Sequence, residues 1–339
     1  MNLEQLELTA TTMATEGKGL LAADESTATI KKRLDTINTE STEINRRKYR
    51  DMLFTAKGME EYISGVIMYD ETIRQSTMNN DDISFSKYLS DLGVVPGIKV
   101  DMGAKPLSCF DNEFITEGLD GLRDRLSEYY KLGARFAKWR AVITISDTTP
   151  TFASIDSNAH ALARYASLCQ EANIVPIVEP EILMDGSHSI DASFDVTTEV
   201  LSSVFDALLN LDVYLEGIIL KPNMVLSGYD SKKQASVEEV ADASITCYQR
   251  TVPAAVPGIM FLSGGQSDIL ATEHLNQMNK LATSKPWELS FSYGRALQTA
   301  AINAWSGKDE KLDAGREAFL HRAKCNSLAS KGKYSKEIE

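Results

Sequence analysis

The feature that most constrains this chain is an eightfold recurrence. A short apolar run, often rich in Val and Ile, ends in charged or small residues and gives way to a longer polar or amphipathic stretch. The runs are GLLAADES (19–26), YISGVIMYDE (62–71), VVPGIKVD (94–101), ARFAKWRAVI (134–143), NIVPIVEPEI (173–182), LEGIILKPNM (215–224), GIMFLSGGQS (258–267) and ELSFSYGRAL (288–297). They start about 30 to 43 residues apart, which leaves room for a helix between each pair. Four such fillers read as helices: INRRKYRDMLFTA (44–56), SNAHALARYASLCQEA (157–172), DVTTEVLSSVFDALLN (195–210) and VEEVADASITCYQRTV (237–252). Strand–helix alternation repeated eight times predicts an α/β chain folded as one closed (β/α)8 barrel over residues 1–339, with an N-terminal helix and a short C-terminal tail. An open, doubly wound sheet is the alternative. It is disfavoured because neither GxGxxG nor a P-loop follows the first run.

Charge and residue usage exclude several function classes. Lys and Arg number 35 against 48 Asp and Glu, a net charge of −13, so neither nucleic acid nor an anionic membrane is expected as the main partner. No apolar run approaches the ~18 residues of a membrane span. The opening MNLEQLELTATTMATEGKG reads as an amphipathic helix carrying Leu3, Leu6 and Leu8, without the basic start and apolar centre of a signal peptide, so a cytosolic location is expected. Cys109, Cys169, Cys247 and Cys325 form no CxxC pair, and His160, His188, His274 and His321 never stand at HxxH or HxxxH spacing. No metal site is therefore predicted from local spacing.

In a barrel, polar residues at the carboxyl ends of the strands converge on one pocket. Nearly every run carries them there: Asp24, Asp70 and Glu71, Lys99 and Asp101, Lys138 and Arg140, Glu179 and Glu181, Lys221, Ser263-Gly264-Gly265, and Ser292 with Arg295. Lys138/Arg140 and Glu179/Glu181 are spaced i,i+2, so each pair points to one side of its strand. A single strand lysine usually caps an edge or snorkels to water. A whole set is harder to explain so, because burying charges costs several kcal/mol each unless they are paired or used. The glycines and serines after runs seven and eight, with Arg295, suit a phosphate. Lys221 ends four apolar residues and precedes Pro222. A lysine with little water and other cations nearby has its pKa lowered and becomes a nucleophile, as Schiff-base chemistry on a ketone requires. A structural lysine paired with Glu179 or Glu181 would look the same.

LLAADES, GIKVD, FAKWR, IVPIVEPEIL, LEGIILKPNM, FLSGGQS and FSYGRALQ together resemble the class I fructose-bisphosphate aldolase family, in order from about residue 15 to about residue 334. The resemblance implies a homotetramer of (β/α)8 barrels that needs no metal or other cofactor and cleaves a sugar phosphate, fructose 1,6-bisphosphate. It implies that Lys221 forms the Schiff base at C2. Glu179 would handle protons in carbinolamine formation and dehydration, with Glu181 beside it. Lys138 would aid Schiff-base formation, and Asp24 would take the C4 hydroxyl proton. Ser263, Gly264, Gly265, Ser292, Gly294 and Arg295 would hold the C1-phosphate with Arg33 near them. Ser26, Thr29 and Lys99 would face the C6-phosphate, and Arg140 would support Lys138. The chain departs from the family in three places. Ala28 stands where Gly is usual and is expected to stiffen the loop carrying Thr29. Thr29 replaces the commoner Ser. Only five residues follow Tyr334, where many members have a longer tail ending in tyrosine. The alternatives are a Schiff-base aldolase preferring sedoheptulose 1,7-bisphosphate or fructose 1-phosphate, and a non-catalytic binding barrel.

Overall fold

The eight runs become the eight staves of a closed parallel barrel in a computed structural model that describes residues 1–78, 83–282 and 284–339. The strands are β1 (Gly19–Ala23), β2 (Ile63–Met68), β3 (Val95–Lys99), β4 (Ala104–Pro106), β5 (Phe114–Thr116), β6 (Phe136–Ile143), β7 (Val175–Ile182), β8 (Ile219–Leu220), β9 (Gly258–Phe261) and β10 (Glu288–Tyr293). The barrel closes in the order β1-β10-β9-β8-β7-β6-β3-β2. β4 and β5 form a separate antiparallel pair after β3 that the sequence reading missed. Three-residue strands with exposed or half-buried faces leave no periodic signal.

The helices are α1 (Leu3–Met13), α2 (Thr27–Asp35), α3 (Glu43–Phe54), α4 (Asp70–Ile73), α5 (Phe85–Asp91), α6 (Leu122–Lys131), α7 (Phe152–Glu171), α8 (Ile190–Asn210), α9 (Val237–Thr251), α10 (Asp268–Leu281), α11 (Arg295–Trp305) and α12 (Leu312–Ser330). α7 and α8 begin five residues before the sequence expectation. Thr151 and Ser189 cap them through their side chains, accepting from Ser154 N at 3.3 Å and Ala192 N at 3.2 Å. Ala28 lies in the first turn of α2 and not in a loop, which corrects the expectation made for it.

Two apolar cores explain why the polar residues collect at one end. The larger joins the outward faces of the strands to the helices. The smaller fills the lumen, with Leu20, Ala22, Ile67, Phe136, Val175, Ile177, Ile219 and Met260. Leu6, Ala10 and Met13 of α1 close its lower end. Leu3 and Leu8 of α1 are exposed, so its buried stripe is narrower than the sequence suggested. Because strand side chains alternate with period two, each lumen row begins apolar and ends polar. Leu20–Ala22 leads to Asp24, Phe136 to Lys138 and Arg140, Val175–Ile177 to Glu179 and Glu181, and Ile219 to Lys221. Gly97 makes this packing possible, since a Cβ there would sit 2.2 Å from the Phe136 ring.

Candidate active site

The polar ends of these rows open into a cavity of about 850 Å³. It is lined by Asp24, Ser26, Thr29, Arg33, Lys99, Lys138, Arg140, Glu179, Glu181, Lys221, Ser263, Gly264, Ser292, Gly294 and Arg295. Of the residues expected at the site, Gly265 and Glu71 do not line the cavity. A Cβ at Gly265 would meet Tyr229 Oη at 2.9 Å and Arg295 Nη2 at 3.0 Å, so the glycine lets both side chains lie against the loop. Eight Lys or Arg and seven Asp or Glu face this one space, so a strongly acidic chain has gathered its cations where the strands end.

At the floor four charges meet. Lys138 Nζ lies 2.8 Å from Asp24 Oδ2 and 3.4 Å from Glu179 Oε2, while Lys221 Nζ lies 3.3 Å from Glu179 Oε1. Glu179 therefore bridges the two lysines, and all three side chains are at least 94 % buried. Its contact with Lys138 is an ion pair without hydrogen-bond alignment, which leaves Oε2 an open acceptor. Burial on its own would raise the Asp24 carboxyl, but the ammonium groups of Lys138 and Lys221 outweigh it and hold it at about 2. For Lys138, burial disfavours the charge, and Asp24 and Glu179 more than reverse this, pushing the ammonium well above its ordinary range. Arg140 donates through Nε to Glu181 Oε2, and its guanidinium is likewise raised because that pairing outweighs burial.

Lys221 is held from both sides. Its N–H donates to the Val178 carbonyl at 2.8 Å, and the following Pro222 carbonyl accepts from Leu262 N at 3.0 Å. Asn223 Oδ1 accepts from Ile182 N at 3.1 Å, and the Asn223 carbonyl accepts from Tyr248 Oη. The sequence reading missed Asn223 and Tyr248, whose only signal was an amide directly after Lys-Pro.

Toward one wall the cavity changes character. Gly264 (φ 58°) and Gly265 (φ 91°) turn through the left-handed region that glycine adopts without steric cost. Neither N–H donates to a backbone carbonyl among the described residues. The Ser292 hydroxyl is buried with no partner among them either. Gly294 caps α11 without a side-chain bond. Arg33 and Arg295 stand beside these groups and make no ion pair among the described residues. Free amides, an unpartnered hydroxyl, a helix N-terminus and two guanidinia without ion pairs are donors of the kind that suit an anion. Tyr229 was also overlooked. Its hydroxyl donates to the Gly264 carbonyl, bracing the loop from the segment after β8. Elsewhere Lys99 Nζ reaches Asp101 Oδ1 at 2.6 Å. Ser26 caps α2 by accepting from Thr29 N at 3.4 Å, which sets Ser26 and Thr29 at the rim. Glu71, grouped with the strand ends in sequence, faces outward to Arg46.

A closed (β/α)8 barrel whose mouth joins a buried amine–carboxylate cluster to a wall of donors suited to an anion has the make-up of a lyase acting on phosphorylated carbonyl compounds. The family model described as fructose-bisphosphate aldolase class-I matches residues 5–339. A protein of Xanthomonas campestris named probable fructose-bisphosphate aldolase class 1 is 54 % identical over 336 residues, covering 98 % of this chain and 99 % of its own. Fructose-bisphosphate aldolase 4, cytosolic, of Arabidopsis thaliana is 50 % identical, covering 99 % of this chain and 85 % of its own. A solved structure of fructose-bisphosphate aldolase from Plasmodium falciparum, 50 % identical, superposes with a TM-score of 0.96 over 98 % of this chain and 95 % of that one. The chain belongs to the class-I fructose-bisphosphate aldolase family.

Proposed function

We propose that this chain reversibly cleaves fructose 1,6-bisphosphate to dihydroxyacetone phosphate and glyceraldehyde 3-phosphate through a Schiff base on Lys221. The observation that carries the reading is Glu179, a buried carboxylate between two buried lysines that shares one cavity with the donors of the wall. Glu179 takes a proton from the Lys221 ammonium 3.3 Å away, the freed amine attacks the C2 carbonyl, and Glu179 returns that proton as the carbinolamine loses its hydroxyl as water. The resulting iminium accepts the C3–C4 bonding electrons while Asp24 takes the C4 hydroxyl proton, releasing the aldehyde and leaving an enamine. With Lys138 at 2.8 Å the Asp24 carboxylate is a weak base; it strengthens once Lys138 turns toward the substrate.

The anion wall of Ser263, Gly264, Gly265, Ser292, Gly294, Arg295 and Arg33 takes the C1-phosphate in this reading. Ser26, Thr29 and Lys99 face the C6-phosphate, and Arg140 with Glu181 keeps the floor charges in place. We assign the whole of residues 1–339 to one catalytic domain, working as a cytosolic homotetramer. Relatives from plants are named cytosolic and cytoplasmic isozymes, and among the described residues no helix is long and apolar enough to cross a membrane.

The test is kcat/KM for fructose 1,6-bisphosphate, sedoheptulose 1,7-bisphosphate and fructose 1-phosphate under one set of conditions, with sedimentation to compare the particle mass with four times 37.3 kDa. The reading expects the first substrate to lead and fructose 1-phosphate to trail. A lead by either other ketose would reassign the substrate.

A further inference from the structure

Outside the barrel, α12 and the tail bring three metal-binding side chains together. His321 and Cys325 are four residues apart on α12, so they project from one face of the helix. His321 Nε2 lies 3.7 Å from Cys325 Sγ. After Gly332 (φ 65°) reverses the chain, Tyr334 is buried with its N–H donating to Asn276 Oδ1 at 2.9 Å. A short turn capped by Ser335 then carries Glu339 back to α12. There its carboxylate accepts from Tyr334 Oη at 2.6 Å and from the Arg322 guanidinium. Ligand atoms of His321, Cys325 and Glu339 all lie within 4.8 Å of one another.

We propose that His321, Cys325 and Glu339 form a transition-metal site of the zinc type that fastens the tail to α12. Ligands bound at about 2.0 Å (N) and 2.3 Å (S) to one tetrahedral ion lie roughly 3.5 Å apart. The His321–Cys325 separation already meets that spacing, and the carboxylate, within 4.8 Å of both, needs to close by at most about 1.3 Å. Tyr334 and Arg322 occupy one lone pair on each Glu339 oxygen, which leaves the second lone pairs free and the group oriented. Water completes the tetrahedron. One thiolate and one imidazole select Zn²⁺, Co²⁺ or Cd²⁺ over Mg²⁺ or Ca²⁺, which want oxygen donors.

Binding exchanges one proton: the Cys325 S–H bond breaks, an S–metal bond forms and the proton passes to solvent, so affinity rises with pH. None of the three residues lines the catalytic cavity. The sequence reading missed the site because it sought pairs of one residue type, whereas this is a His-x-x-x-Cys pair completed by a carboxylate fourteen residues beyond Cys325.

The test is titration of the full chain with Co²⁺, under argon and without thiol reductant, read by absorbance. The proposal expects a sulfur-to-cobalt charge-transfer band in the near-ultraviolet with visible bands of a tetrahedral ion. They should saturate at one equivalent and be displaced by Zn²⁺. Cys325→Ser should remove the charge-transfer band, and His321→Gln and Glu339→Gln should each weaken binding at least about tenfold. Fructose 1,6-bisphosphate cleavage should be unchanged in all three, which also checks folding. No charge-transfer band, or one that survives Cys325→Ser and vanishes on replacing the exposed Cys109, would overturn the proposal. The 3.7 Å contact would then be a thiol–imidazole hydrogen bond. Because the readout is spectroscopic and remote from the cavity, its failure leaves the aldolase reading untouched.

Discussion

Replacing Glu179 by Gln keeps the shape of the side chain and removes the carboxylate that touches both buried lysines, at 3.3 Å from Lys221 and 3.4 Å from Lys138. Two effects follow, and they separate experimentally. The first is chemical. A positioned acid or base contributes a factor of roughly 10²–10⁴ in rate, or about 3–5 kcal/mol of barrier. Carbinolamine dehydration should slow by that factor and become rate-limiting. The second is electrostatic. The floor of the wild-type site holds Asp24 and Glu179 against Lys138 and Lys221, two charges of each sign, and the variant leaves one cation over. Removing one partner of a buried pair costs about 3–5 kcal/mol at most sites. The open cavity above should reduce this, because water reaches the odd charge. The assay mixes enzyme with dihydroxyacetone phosphate and quenches with borohydride at increasing times, well below the thermal transition. Trapped iminium should appear 10²–10⁴-fold more slowly in the variant, with unchanged circular dichroism. Turnover within about threefold of wild type, in a folded variant, would remove Glu179 from the chemistry and refute the reasoning.

Three further expectations can be checked directly. The depressed Asp24 carboxyl contributes stability that is present above the unfolded value of 3.8 and is lost as pH falls through about 2; the stability gap between wild type and Asp24→Asn should therefore narrow between pH 5 and pH 2, and a gap independent of pH would contradict the ion pair. EDTA should leave cleavage unaffected, since no His or Cys lines the cavity among the described residues; loss of activity that zinc restores would count against a lysine-based reaction. Deleting residues 335–339 should change cleavage less than about threefold, because Lys336–Glu273 at 2.6 Å and Glu339–Arg322 hold the tail against α10 and α12. A five-residue segment spans at most about 18 Å. A large drop with the fold intact would show that the tail acts at the mouth.

The barrel was legible because alternation repeated eight times is a long-range signal that no single ambiguous run can spoil. The floor cluster was legible for a related reason: Lys138/Arg140 and Glu179/Glu181 share a period-two face, and the apolar residues below them fix that face as the lumen. What escaped was structure without a period. β4 and β5 are too short to show one. Thr151 and Ser189 define helix starts by a single side-chain bond each. Tyr229 reaches the glycine loop from a segment 35 residues away, and Asn223 acts through Tyr248 on α9. The tail cluster joins Glu339 to α12 by a chain reversal that no local pattern announces.

Lys221 is the residue that becomes covalently bound to substrate in the proposed reaction. Borohydride reduction in the presence of dihydroxyacetone phosphate, followed by peptide mass mapping, tests that most directly. Irreversible inactivation is expected, with the mass of one reduced dihydroxyacetone phosphate adduct on the peptide containing Lys221. An adduct on Lys138, Lys99 or any other lysine, or no adduct at all, would contradict that role.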